Sequence, residues 1–211
     1  MRCLDVFGAS KRRSAAERER HLAKPIPPPG YGVEYWDDPR YVGYGGYRYD
    51  GRYRSAALKM CEIYGLNSRS KILEIGCAKG FLLYEFHILG IEVLGLDASE
   101  YAVVNGKPEI RSRLLQHSCE FLPFLDNHFD LVVAKEVVPH LGENEALILV
   151  SEIDRVGKAA FLEIQCADSE DSARLMKQWD QTHQTIKPES WWVSNLQKIG
   201  YSGDYHCRQL F

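Results

Sequence analysis

Residues 73–81, LEIGCAKGF, end an apolar run and open onto a helical pattern. Gly76 permits a tight turn there, and Gly80 lets a ligand approach the backbone where a Cβ would otherwise stand. Amides at the start of the helix can receive polar or anionic atoms. Asp97 follows 21 residues after Gly76, at the end of the next apolar run, where an acid can accept two hydrogen bonds from a ribose diol. A dinucleotide fingerprint needs G-x-G-x-x-G, whereas this loop reads G-C-A-K-G and lacks the middle glycine that admits a pyrophosphate. No Gly-Lys-Ser/Thr triplet makes a P-loop either. The pattern asks for an adenosine ligand with no phosphate against the loop, a description that S-adenosylmethionine fits.

Two histidines stand where chemistry on a second ligand would occur. His140, in VVPHL, follows the fourth apolar strand, on the rim where ligands bind in open α/β sheets. His183, in WDQTHQT, has Asp180 three residues before it, and an aspartate partner would orient the imidazole and raise its basicity. A helix-cap role for His140 and loop packing for His183 are the plainer readings of the same residues.

The elements that position these groups alternate along the chain. KILEIG (71–76), IEVLGLD (91–97), FDLVVAKE (129–136) and AAFLEIQ (159–165) read as buried strands. Between them lie helical patterns over Leu82, Leu83, Phe86 and Leu89, over SEYAVVNG with Ser99 as cap, and over Ala146, Leu149, Val150 and Ile153 with Asn144 as a cap. This order predicts a Rossmann-like, doubly wound, mostly parallel α/β sheet with helices on both faces. A lead-in helix over 55–65 offers Leu58, Cys61 and Ile63 for burial, and a last helix starts at Pro188. The expected organisation is a flexible basic, proline-rich arm (1–30), an N-terminal cap with its lead-in helix (31–70), and the main domain (71–211) with a substrate-side insertion at 166–190.

Composition narrows the partners. Of 211 residues, 45% are hydrophobic and 26% charged, which is ordinary for a globular domain. The net charge is −3, yet residues 1–24 carry seven Lys/Arg against three Asp/Glu, so a basic arm precedes an acidic body. No basic stripe crosses that body, which speaks against nucleic acid. No apolar run reaches a membrane-spanning length, and no signal-peptide core follows Met1. The six cysteines are scattered without a C-x-x-C pair, so reduced thiols, a cytoplasmic location and no metal site are expected.

Taken together and in order, LEIGCAKG, VLGLDASEYAV and EFLPFLDNHFDLVVAKEVVPHL resemble the class I S-adenosylmethionine-dependent methyltransferases over about Lys71 to Gln165. The resemblance implies S-adenosyl-L-methionine as cofactor, with Glu74, Gly76, Ala78 and Gly80 along its methionine half. It implies Asp97 on the ribose, Ala98 on the adenine, and Cys119 and Glu120 at the adenine edge. Lys135 would face the transferring methyl group, beside His140 and His183 as catalytic candidates. Ser118 stands where family members often carry Asp. The family fold usually ends in a two-strand hairpin, for which the eleven residues after Gly200 are few. Asp-x-Thr-His before a tryptophan-containing helix resembles small-molecule members, so the expected partner is a small polar methyl acceptor or sugar derivative, with a homodimer allowed. A non-catalytic methyltransferase-fold partner of another subunit is the alternative, and an NAD-dependent oxidoreductase is disfavoured by the missing glycine.

The stretch YVGYGGYRYDGRYR (41–54) holds five tyrosines, four glycines and three arginines, and seven of the chain's 12 tyrosines lie between 31 and 53. A disordered tail, an RNA-binding segment and a lid over the cofactor all suit that composition. The position before the first strand favours the lid, with Tyr44, Tyr47, Arg48 and Arg52 as candidates for the methionine carboxylate.

Overall fold

The computed structural model describes residues 1–8, 14–118, 121–209 and 211. Its centre is a sheet of six parallel strands: β1 (Lys71–Ile75), β2 (Glu92–Asp97), β3 (Leu114–Gln116), β4 (Leu131–Lys135), β5 (Ala160–Cys166) and β6 (Asp204–Gln209). They lie in the order β3-β2-β1-β4-β5-β6. The chain runs outward from β1 to β3, returns to β4 beside β1, and runs outward again. The strand order therefore reverses between β1 and β4, where Ile72 pairs with Leu131 and Ile75 with Ala134. Helices leave in opposite directions from these two strand ends and open a crevice above them, the general ligand position in such sheets.

Both faces are buried, which is why the strands read as continuous apolar runs. Leu73, Ile75, Val132, Leu162 and Ile164 face α6 (Glu143–Val156) and α8 (Glu189–Lys198), through Leu149, Ile153, Trp192 and Leu196. Ile72, Val93, Leu131, Val133 and Phe161 face α3 (Arg54–Tyr64) and α4 (Phe81–His87), through Ala57, Met60, Leu83 and Phe86. The buried stripe of α3 is Ala56, Ala57 and Met60, with Cys61 and Ile63 partly covered. Leu58, expected inside, is 49% exposed because the sheet meets the helix one position over. The cap of α6 also differs from expectation: Gly142 occupies the N-cap, and its N–H donates to Glu145 Oε2 at 3.0 Å, leaving Asn144 inside the first turn.

Two parts of the N-terminal arm, expected to be flexible, pack on the body: residues 2–7 and the helix over Ala15–Leu22. Leu4 N–H donates to Tyr205 O, and Tyr205 N–H donates to Arg2 O, so Cys3 bridges β6 in parallel. Asp204 secures the contact by accepting from Arg2 and from the Tyr64 hydroxyl. The sheet edge that a hairpin would finish is covered here by the chain's own first residues, so every described strand is parallel. Val6 is buried, and Phe7 packs against Tyr53 and Phe161. Helix α1 (Ala15–Leu22) lies on α7 (Glu170–Trp179), with the His21 ring stacked on Trp179 at 3.6 Å. Among the described residues, no helix is long and apolar enough to cross a membrane.

One strand position carries a packing constraint that can be tested. A Cβ on Gly95 would lie 2.6 Å from Cys77 Sγ and 2.7 Å from Leu83 Cδ1, where the loop after β1 and helix α4 close over β2. Gly95→Ala is expected to destabilise the protein by about 1–3 kcal/mol through overpacking, read as a lower midpoint in thermal denaturation.

Candidate functional site

The crevice between β1 and β4 deepens into a cavity of about 970 Å³, at the upper end of the range for a single small ligand and large enough for two modest ones. Its first wall is the loop after β1. Gly76 has φ +68° and Gly80, the N-cap of α4, has φ +74°. A Cβ on Gly76 would stand 2.2 Å from Val137 Cγ2, so both conformation and space require glycine there. Ala78 adopts φ +49°, a left-handed backbone unusual for a residue with a side chain.

That turn aims the Ala78 N–H at Asp97. Asp97 Oδ2 accepts from Ala78 N at 2.7 Å, and Oδ1 accepts from Ser99 N at 2.8 Å. Burial pushes the Asp97 carboxyl above its ordinary pKa, and the two backbone donors oppose the rise. Each oxygen keeps a second lone pair, so the fixed carboxylate can still receive a diol. Glu74, at the end of β1, also faces the cavity, and its Oε2 is buried with no hydrogen-bond partner among the described residues. Burial holds its pKa well above the ordinary value, and Lys135 only partly offsets this. A cationic ligand group would meet that unfilled acceptor.

The second wall is the segment before α3. Helix α2 (Val33–Trp36) presents Tyr35 and Trp36, which pack with Tyr31 and Tyr47 against Ala78 and Ala102. Trp36 Nε1 donates to Ser99 Oγ at 3.0 Å, and Ser99 Oγ donates to Tyr31 O at 2.7 Å. The buried Lys79 ammonium donates to both oxygens of Asp37 at 2.6 and 2.8 Å, and the Tyr101 hydroxyl donates to the same carboxylate. The tyrosines also stack on one another: Tyr44 lies on Trp36 at 5.0 Å, and Tyr47 on Phe81 at 4.8 Å. Aromatic burial and a shielded ion pair thus clamp this segment to the glycine loop.

The third wall is built from strand ends. Lys135 Nζ lies 2.6 Å from Glu136 and 3.3 Å from the fully buried Glu163. Arg208, on β6, reaches Glu136 at 3.2 Å. Burial disfavours the Lys135 charge, but the two carboxylates outweigh it and hold the ammonium pKa above its ordinary value. Lys135 is therefore a fixed cation bound within an ion-pair network, and not a group that can take a proton. Burial likewise opposes the charge on Glu136, yet Lys135 and Arg208 bring its pKa down to about 2. Glu136 adopts φ +58°, the counterpart across the crevice of the strained Ala78.

The fourth wall comes from the segment after α7. The two histidine rings meet at 4.5 Å between centroids. The Asp180 carboxylate does not hydrogen-bond to the His183 ring, contrary to the expectation from their spacing, and the two residues are joined instead by His183 N–H donating to Asp180 O at 3.3 Å. Asp180 Oδ2 accepts from the Tyr35 hydroxyl at 2.8 Å, and its Oδ1 accepts from Thr182 Oγ1 at 2.5 Å. Thr182 Oγ1 also lies 2.8 Å from His140 Nδ1. With the Thr182 hydroxyl proton given to Asp180, the His140 tautomer protonated on Nδ1 donates to Thr182 and leaves a lone pair on Nε2. The carboxylate acts on His140 through threonine. His183 is 2% exposed; the Met176 carbonyl approaches its ring, but neither ring nitrogen makes a hydrogen bond of good geometry among the described residues. Burial first, then the neighbouring His183, lowers the His140 pKa to about 4, and burial lowers that of His183.

The cavity lining brings together Tyr44, Arg52, Glu74, Gly76, Ala78, Asp97, Ala98, Lys135, His140 and His183, with Tyr47 and Ser118 beside them. Gly80 stays behind the lining, where a Cβ would meet Ile110 and Leu114 at 2.9 and 3.0 Å. Arg52 is tied bidentately to Asp50 at 2.7–2.9 Å, and Arg48 is not in the lining. Cys119 and Glu120 lie outside the described residues. Sequence reasoning missed Tyr31, Tyr35, Trp36, Thr182 and Arg208. The aromatic density of YGVEYW was a usable signal for the first three, whereas nothing local marks Arg208.

Comparison with known proteins agrees with this geometry. Residues 73–160 match the family model described as a methyltransferase domain. A ubiquinone biosynthesis O-methyltransferase of Sinorhizobium fredii is 28% identical over 136 residues, covering 53% of this chain and 55% of the relative. The chain thus spans about half the length of that curated relative. Among solved structures, the YcgJ protein of Bacillus subtilis superposes with a TM-score of 0.58 at 22% identity, over 68% of this chain and 66% of that one. A SAM-dependent methyltransferase from Archaeoglobus fulgidus gives 0.57 at 19% identity, over 70% and 68%. At these identities the structural likeness speaks to the fold. The resemblance carried by LEIGCAKG and its two companion segments is met by the family model, and S-adenosylmethionine is the cofactor that family implies.

The histidine pair makes a prediction about pH. His140 has a folded-state pKa of about 4, below its ordinary 6.5. Its neutral form is favoured by folding, so the contribution is complete above pH 6.5 and is lost as the pH falls toward 4. Thermal midpoints measured between pH 7.5 and 5 are expected to fall less steeply for His140→Gln than for the wild type. Parallel curves would remove the buried neutral imidazole from the account.

Proposed function

We propose that this chain, a member of the class I S-adenosylmethionine-dependent methyltransferases, transfers the cofactor's methyl group to an oxygen or nitrogen of a small polar acceptor held in the same cavity. The observation that carries this reading is the pairing of two environments in one cavity. The Gly76 loop, Glu74 and the fixed Asp97 carboxylate form an adenosine and ammonium site, and two neutral imidazoles stand nearby for an acceptor. When bound, S-adenosylmethionine supplies a methyl carbon already activated by a sulfonium.

The chain's residues then have separable tasks. Asp97 receives the ribose hydroxyls, while Ala98 and Ser118 border the adenine. Glu74 offers its unpaired Oε2 to the ammonium of the methionine half, and the loop over Gly76 and Ala78 supports that half. Tyr44, Tyr47 and Arg52 belong to a cap that, with Trp36, keeps water from the reacting atoms. Such alignment and exclusion can account for roughly 7–11 kcal/mol of a displacement barrier. Lys135 positions Glu136 and Glu163 and does not take the acceptor proton. That proton has an open acceptor in His140 Nε2, oriented through Thr182 and Asp180. Oxygen is the favoured acceptor atom, since the curated relatives are O-methyltransferases. The segment 166–190 would then be the acceptor-side addition, because Trp179, Asp180 and His183 come from it. The intact loop and Asp97 leave the non-catalytic alternative without a supporting feature.

Calorimetric titration with S-adenosylmethionine is expected to give one site per chain, and absence of both heat and thermal shift would overturn the reading. Asp97→Ala should weaken that binding at least tenfold, about 1.4 kcal/mol. Trp36→Ala, which releases the cap from Ser99, should weaken it several-fold while leaving the circular dichroism spectrum unchanged. Wild-type affinity in the Trp36 variant would rule out the cap's part in cofactor binding.

A further inference from the structure

The methyl-transfer reading does not explain why His183 is buried with no hydrogen bond of good geometry at either ring nitrogen among the described residues, beyond the approach of the Met176 carbonyl. A buried polar group left without a partner is costly, and such groups are uncommon unless an ion, a water or a ligand completes them. Donor atoms of His140, Asp180 and His183 all lie within 4.8 Å of one another. We propose that these three residues form a divalent transition-metal site in the cavity wall.

The surrounding bonds are those that a metal site needs. Thr182 Oγ1 lies 2.8 Å from His140 Nδ1 and donates to Asp180 Oδ1. Tyr35 donates to the other oxygen of Asp180. Two of the three ligands are thus oriented by outer hydrogen bonds, the usual support for a metal-binding imidazole and carboxylate. Two nitrogens and one oxygen suit Zn²⁺, Co²⁺, Fe²⁺ or Mn²⁺ better than Ca²⁺ or Mg²⁺, which prefer all-oxygen shells. Bonds of about 2.0–2.1 Å put tetrahedral ligands roughly 3.3 Å apart, so the cluster contracts modestly on loading. Three protein ligands leave at least one position open to the cavity.

That open position gives the ion a task within the proposed reaction, and this part rests on the methyl-transfer reading. An acceptor hydroxyl that ligates the ion becomes more acidic and keeps its electron pair, its proton leaving to bulk water as the acceptor enters, before methyl transfer. The resulting metal-bound oxygen retains a lone pair for attack on the methyl carbon. With no ion bound, His140 Nε2 remains the proton acceptor, so His140 faces the acceptor oxygen in both cases.

The test uses the full chain, stripped of metal with chelator and titrated with Co²⁺. One equivalent is expected, with the visible absorption band of a low-coordinate site, and Zn²⁺ should displace it. His183→Gln and Asp180→Asn are expected to weaken binding at least a hundredfold, and Thr182→Val roughly tenfold or more, as for loss of an outer hydrogen bond. Binding of S-adenosylmethionine by each variant shows that its cavity has folded. No saturable Co²⁺ binding by the wild type, or equal binding by wild type and both ligand variants, would overturn the site. Because the metal titration contains no cofactor, it can succeed or fail independently of methyl transfer.

Discussion

The carboxylate of Asp97 ties the molecule's parts together. Two backbone amides hold it, one from the turn after β1 and one from the turn after β2. Those turns belong to successive crossovers, so the acid fixes the relation between neighbouring strand ends. Ser99, which supplies one of the amides, uses its hydroxyl to hold Trp36 and Tyr31. A single short turn therefore orients the acid and also anchors the roof above it. Ala78 takes a left-handed backbone to deliver the other amide, a local cost of the kind that persists when surrounding contacts enforce it.

Across the crevice, charge is balanced inside the protein and not in water. Glu74, Glu136 and Glu163 converge on the strand ends, and Lys135 and Arg208 are drawn among them. Burying ions costs several kcal/mol each, and attraction recovers this only when the partners are close and well bonded. Glu136 and Glu163 meet that condition. Glu74 does not, for its nearest compensation is the partial effect of Lys135. The same low-dielectric setting keeps the imidazoles of His140 and His183 neutral, so the wall opposite Asp97 presents lone pairs where a solvent-exposed pair would share a proton near neutral pH.

The crowding of tyrosines before the first strand has a structural cause. A tyrosine buries a large ring while leaving a hydroxyl able to reach a distant partner. Tyr35 reaches Asp180, Tyr49 donates to the buried Glu85, and Tyr47 meets Tyr53. Glycines between them allow turns that larger residues would block. A Cβ on Gly43 would lie 2.4 Å from Tyr35 O. The segment packs against the body, and its aromatic faces form cavity wall at the same time.

The sequence by itself determined the alternation of strands and helices, the glycine turn after β1, and the acid at the end of β2. These depend on contacts within a few residues and on burial of both strand faces, so they leave a local pattern of type and spacing. It also marked part of the cavity lining, because in a parallel sheet the loops after the strands all emerge on one side. Tertiary structure alone decided what each side chain meets there. The spacing of Asp180 and His183 suggested a pair, but the turn between them delivers Asp180 to Tyr35 and Thr182, 145 and two residues away along the chain. The closure of the sheet edge by residues 2–4, the burial of Met60 in place of Leu58, and the arrival of Arg208 beside Glu136 were equally invisible. Each depends on strand order and register between segments far apart in the chain, which hydrophobic periodicity does not encode.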